Sequence, residues 1–221
     1  MAIDLKVDAA TVTRLRDVRV PGASLIVCDV DEVVLEFVTP LRRFLATKRL
    51  ALAAEGFRLH GNVRTGSGEI VPDNAVDSLV DEFFARQQDW QTPVAGCVVG
   101  LARLAETASV VLLTAMRHGH FDVRASLLAS LEISWPLVTT EGSKGAALAE
   151  LAHDGSIVFV DDLPFNHQDV RRHVPHACCI QFMADDIFSA QLPPLPAGVK
   201  KAADWPEIVE SALEAVDAQV C

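Results

Sequence analysis

Five short apolar runs punctuate the chain: Leu25 to Cys28, Val110 to Leu113, Ile133 to Val138, Ile157 to Val160 and Cys178 to Phe182. Between and before them lie amphipathic stretches, Val94 to Glu106, Asp122 to Leu131, Lys144 to Leu151 and Asn166 to His173. An apolar run without polar alternation suits a strand buried on both faces, and a helix-length stretch between runs is the crossover that joins parallel strands. The pattern predicts an α/β fold with a mainly parallel sheet and helices on its faces. A last helix is expected from Asp204 to Val216, with Asp204 as N-cap and Pro206 in its first turn. The preceding Gln191 to Val199 segment, with LPPLPAG at its heart, is expected to be extended.

The interval between Phe37 and Gln91 breaks the alternation, being too long for one crossover helix. Its outer parts, Pro40 to Glu55 and Asn74 to Gln88, read as helices. Its middle, GFRLHGNVRTGSGEIVPD, carries Gly61-Asn62 and Gly66-Ser67-Gly68 and reads as a hairpin or irregular loop. This predicts a mostly helical insertion over residues 37–91, with residues 1–36 and 92–221 forming the main body.

A chain of 221 residues with 50% hydrophobic content can bury one sizeable core with a smaller insertion. Its formal net charge of -11, from 19 basic and 30 acidic side chains, argues against nucleic acid or an anionic membrane as partner. The cysteines, Cys28, Cys97, Cys178, Cys179 and Cys221, form no C-x-x-C pair and are expected to be reduced, as in a cytoplasm. The start, MAIDLKVDAATVTRLRD, is charged throughout and unlike a secretory signal. No stretch approaches the roughly 18 apolar residues of a membrane span.

Residues just after each run gather at the carboxyl edge of such a sheet, where ligands bind. Asp29 and Asp31 follow the first run, Thr114 follows VVLL, Lys144 opens a helix, and Asp161 and Asp162 follow IVFV. Burying one carboxylate is costly and burying two costlier, so a divalent metal would relieve the first pair. Asp29-Val30-Asp31 also reads as an acidic turn capping a helix that begins near Val33, and Asp161-Asp162 as helix-capping acids. Taken together, the set is what phosphoryl transfer through an aspartyl phosphate requires: a carboxylate nucleophile, a proton carrier, a metal, and donors around the phosphoryl oxygens.

LIVCDVDEVV, VVLLTAM, the lysine of GSKGAAL and IVFVDDLPFN, in that order, resemble the four motifs of the haloacid dehalogenase superfamily. The resemblance implies a Rossmann-like three-layer α/β sandwich with a small cap inserted after the first strand. It implies Asp29 as nucleophile and metal ligand, Asp31 as acid-base and carbonyl donor to Mg2+, and Thr114 and Lys144 as phosphate holders. Asp162 would be the fourth-motif metal ligand, with Asp161 behind it or sharing the metal. Asn166 stands where the family often has a carboxylate, and Val33 where some of its phosphatases have threonine. True dehalogenases lack the second aspartate, so Asp31 favours the phosphatases.

Arg117, His118 and His120 follow Thr114 on a loop expected over the site, with Arg117 and His118 candidates for contacting phosphate or substrate. Arg42, Arg43, Lys48 and Arg49 read either as an anion-attracting stretch or as a solvated face. His167, His173 and His176 have no metal-ligand spacing with the cysteines and carry no assigned role. The expected activity is Mg2+-dependent hydrolysis of a small phosphorylated metabolite. A phosphotransferase or mutase, a nucleotidase, and a binding protein on the same fold stand as alternatives.

Overall fold

The computed structural model describes residues 7–151 and 154–218. The first six residues, with the start of the leader reading, and Cys221 lie outside the described residues. In chain order the elements are α1 (Ala9–Asp17), β1 (Ser24–Cys28), α2 (Val38–Thr47), β2 (Leu50–Leu52), β3 (Val63–Thr65), α3 (Asp73–Ala85), α4 (Cys97–Ala105), β4 (Ser109–Ala115) and α5 (Phe121–Ser130). They continue with β5 (Leu137–Thr140), α6 (Lys144–Leu151), β6 (Ser156–Asp161), α7 (Pro164–His173), β7 (Cys178–Gln181), α8 (Asp186–Ser189), β8 (Lys200–Lys201) and α9 (Trp205–Asp217).

The main sheet runs β5-β4-β1-β6-β7-β8 and every neighbouring pair is parallel. All residues of β1 and β6 are buried, which is why these strands read as unbroken apolar runs. Successive residues point to opposite faces, so Ile26, Cys28, Leu112 and Val158 join one apolar cluster with helices α4, α5 and α9. Leu25, Val27, Val111 and Phe159 join the other, with α1, α6 and α7. Each such side chain stabilises the fold by about 1.5–3 kcal/mol. Register then sets the site: Cys28 lies level with Leu112 of β4 and Val160 of β6, so Asp29, Thr114 and Asp161 emerge along one edge.

The segment of residues 37–91, between β1 and α4, lies outside this sheet and has its own apolar cluster, with Leu41, Phe44, Val63, Val76 and Phe83 at its centre. Its entry and exit run side by side, tied by Glu36 N to Thr92 O at 2.9 Å and Val94 N to Val34 O at 2.9 Å. Where Pro40 to Glu55 reads as one helix, α2 stops at Thr47 and Arg49, at φ 59, turns the chain into β2. Strand β2 pairs antiparallel with β3, and the chain turns back between Thr65 and Glu69 so that Arg64 bridges to Ile70. The middle of the segment is thus a small ribbon whose first strand comes from residues expected to be helical.

Three further differences have simple causes. The Ile133 to Val138 run contains Pro136, which lacks a donor, so β5 starts only at Leu137 while Ile133 packs below it. Helix α1 was not anticipated because it buries only Thr11 and Leu15 and so shows little periodicity; Asp8 caps it, accepting from Thr11 N at 2.8 Å. Strand β8 is two exposed lysines. No helix among the described residues is long and apolar enough to cross a membrane.

Candidate active site

Asp29 continues the β1 ladder for one more bond, Asp29 N to Val160 O at 2.8 Å, and then the chain coils. Val34 N and Leu35 N both bond Val30 O at 2.8 Å, closing a helical turn directly beyond the strand. Glu32 sits in that turn at φ 64, a conformation that costs a residue with a side chain about 1 kcal/mol. Its buried carboxylate compensates by accepting from Phe37 N at 2.8 Å, Val38 N at 2.6 Å and Asp185 N at 2.7 Å. Sequence reasoning passed over Glu32, which fastens the start of α2 to the loop before α8.

Lys144 lies buried between two carboxylates, its Nζ 2.7 Å from Asp29 Oδ1 and 2.7 Å from Asp161 Oδ2. The first turn of α6 fixes it there. Asp169 of α7 accepts from Ser143 Oγ at 2.6 Å and Gly145 N at 2.8 Å, capping the helix. Gly145 permits that approach, since a Cβ would stand 2.5 Å from Asp169 O. Asp161 is further held by Leu163 N at 2.9 Å and Asn166 Nδ2 at 2.8 Å, so the amide at Asn166 orients an acid.

Burial raises the Asp29 carboxyl, Lys144 opposes the rise and Asp161 and Asp31 add to it, the sum being about 7. Asp162 is raised well above the usual carboxylate range by burial and then by Asp161 and Asp29. Burial works against the Lys144 ammonium, but Asp161 and Asp29 outweigh it and raise its pKa. One cation thus faces a surplus of negative charge.

Asp31 points elsewhere. Nη2 of Arg124, a fully buried side chain on α5, meets its two oxygens at 2.9 and 3.2 Å. Gln91 Nε2 donates to Asp31 Oδ1 at 2.8 Å, and Thr114 Oγ1 lies 3.4 Å from Oδ2. Arg124 Nε in turn bonds Gln87 Oε1, at the end of the inserted segment. Sequence reasoning missed Arg124, Gln87 and Gln91. The available signal was an arginine on the apolar stripe of its helix, three and four residues before the buried Leu127 and Leu128.

The loop after Thr114 divides. Arg117 and His120 both reach Asp81 of α3, at 3.0 and 2.8 Å, and line a cavity of about 470 Å3 between the inserted segment and the sheet edge. The structure does not bring His118 to that cavity: its ring nitrogens face Thr139 Oγ1 and Asp8 Oδ1, each at 2.8 Å. Arg42, Arg43 and Lys48 are occupied by Asp185 at 3.0 Å, Trp90 O at 2.9 Å and Glu82 at 2.7 Å. His167, unassigned from sequence, is buried beneath the site with Nε2 3.1 Å from Asp161 O.

Asp29, Asp161 and Asp162 can each offer an oxygen within 4.8 Å of the others, the one such group among the described residues. Hard carboxylate oxygens with excess negative charge suit Mg2+. Asp161 already serves Lys144, Leu163 and Asn166, whereas no hydrogen bond to the Asp162 carboxylate is found among the described residues. The Asp31 carboxylate stands outside this group.

No family model matches the chain, and no curated protein matches it in sequence. Solved structures do match in shape. A haloacid dehalogenase-like family hydrolase from Xanthomonas campestris is 13% identical with a TM-score of 0.58, over 89% of this chain and 96% of that one. A HAD family hydrolase from Deinococcus radiodurans, with bound phosphate and sodium, is 14% identical with a TM-score of 0.56, over 88% and 96%. Bacillus subtilis YfnB, classed among HAD-hydrolases and bound to magnesium, is 11% identical with a TM-score of 0.54, over 85% and 97%. The chain therefore has the fold of the haloacid dehalogenase-like hydrolases.

Proposed function

We propose that the chain is a Mg2+-dependent phosphatase that hydrolyses a small soluble phosphomonoester in the cytoplasm through an aspartyl phosphate on Asp29. The observation that carries this reading is the buried set of Asp29, Lys144, Asp161 and Asp162 at the carboxyl edge of the sheet. Oδ1 of Asp29 is taken by Lys144 and by Val30 N at 2.7 Å, which fixes the carboxylate plane and leaves Oδ2 to attack phosphorus. Asp29, Asp162 and Asp161 would hold Mg2+, which would supply charge neutralisation for the phosphoryl transfer. Lys144 and Thr114 steady the phosphoryl oxygens, one by charge and one by a hydroxyl. Asp31 gives its proton to the departing alkoxide and takes one from the water that then cleaves the acyl phosphate.

Acid-quenched reaction with a 32P-labelled phosphomonoester tests the covalent step. Label on the Asp29 peptide, released to water, fits the proposal. Label passed instead to an added acceptor alcohol would favour a phosphotransferase, and no label on Asp29 during turnover would contradict the mechanism.

A further inference from the structure

The cavity beside the proposed site has a composition that phosphate chemistry does not require. It reaches the sheet edge at Asp162 and at Ala115 and Met116, which directly follow Thr114. Its volume of about 470 Å3 is that of a small-molecule pocket. Much of the remaining wall is aromatic: Phe37, Phe57 and Phe84 from the inserted segment, Phe165 and Phe188 from the main body. Phe37 and Phe84 stack with centroids 5.7 Å apart. Phe165, in the first turn of α7 and three residues after Asp162, is 51% exposed, one of few large apolar side chains left so open.

Five polar side chains of the wall pair with one another. Asp81 takes both Arg117 and His120, and Asp77 takes His60 at 2.8 Å. The Glu32 oxygens are satisfied by backbone N–H groups, and the Arg58 guanidinium lies 5.8 Å from the Phe57 ring. A sugar or polyol, with a hydroxyl on nearly every carbon, would lose water against the rings and could bond only to the groups left over, such as the second oxygens of Asp77 and Asp81 and the Arg58 guanidinium. A flat apolar body would lose nothing and gain ring contacts.

We infer that the alcohol half of the substrate is an aromatic, weakly polar group seated against Phe37, Phe84 and Phe165, with its phosphate directed at Asp29. The inference rests on the phosphatase reading for the phosphate end alone; the choice of body comes from the cavity wall.

Calorimetric binding of 1-naphthylmethylphosphonate and methylphosphonate, neither of which can be hydrolysed, tests it in the Mg2+-supplemented protein and in Phe84→Ala and Phe165→Ala variants. The naphthyl compound should bind at least about tenfold more tightly than the methyl compound, and either variant should cut that ratio several-fold. Phe165→Ala guards against a folding artefact, because half of that side chain is already in solvent. A wild-type ratio near one, including binding of neither compound, overturns the inference, as does a ratio unchanged in both variants or tighter binding of a matched sugar phosphonate. Failure of the phosphatase reading would show separately, as a retained binding preference with no turnover of 1-naphthyl phosphate.

Discussion

The Arg124 guanidinium, fully buried on α5, holds both oxygens of Asp31 at 2.9 and 3.2 Å while Gln87 and Gln91 brace it from the end of the inserted segment. The proposed proton carrier is therefore aimed by one guanidinium nitrogen while Nε is anchored on Gln87, a two-ended grip that a lysine's single ammonium does not reproduce. Arg124→Lys should lower kcat by about 10²-fold, the size expected for a misplaced acid-base group, with a much smaller change in KM. Steady-state kinetics reads the split, and wild-type kcat in the variant would remove Arg124 from this role.

Lys144 neutralises two buried acids, so Lys144→Met should cost about 3–5 kcal/mol of stability by leaving them uncompensated. Mg2+ should restore part of that loss, because a cation between Asp29 and Asp161 replaces the ammonium. Urea unfolding with and without Mg2+ measures both. An unchanged midpoint would show that the pair of ion contacts is not what holds these acids.

Gly145→Ala places a methyl 2.5 Å from Asp169 O and 2.8 Å from His173 Nδ1, between α6 and α7. Backbone cannot yield cheaply there, so a loss of about 1–3 kcal/mol is expected, together with reduced turnover as the α6 start and Lys144 shift. Thermal unfolding and kinetics on one sample check it. Wild-type values for both would mean that the helices part without moving Lys144.

Asp81 ties α3 to Arg117 and His120 across the cavity, and the hydrogen bond from His120 with the charge of Arg117 holds its carboxyl below the usual range. A carboxylate depressed in the folded state adds stability above its unfolded pKa of about 3.9, and that stability fades as pH falls through the lower folded value. The melting-temperature difference between wild type and Asp81→Asn should be small and positive near pH 6, because the bridge is exposed, and should vanish in strong acid. A difference independent of pH would assign it to packing.

The fold's centre was legible because strands buried on both faces leave no room for polar residues, as β1 and β6 show. Asp29, Lys144, Asp161 and Asp162 could be grouped for the same reason: register in a parallel sheet puts strand ends side by side. The edges were not legible. Helix α1 and strand β8 bury too little to leave a periodic trace. His118 and His120, two residues apart in one turn, face Asp8 and Asp81 in opposite directions, and that rotation depends on the loop's path. For Arg124, its place on an apolar stripe was the one trace of its burial, and its partner across the fold was not written in the sequence.

Phosphate release from a broad panel of phosphomonoesters, with and without Mg2+ and with Asp29→Asn in parallel, tests the central claim most directly. The account predicts metal-dependent release that falls by about 10⁴-fold or more in the variant, since an amide does not readily attack phosphorus. Release that is indifferent to Mg2+, or that survives in Asp29→Asn, would contradict it.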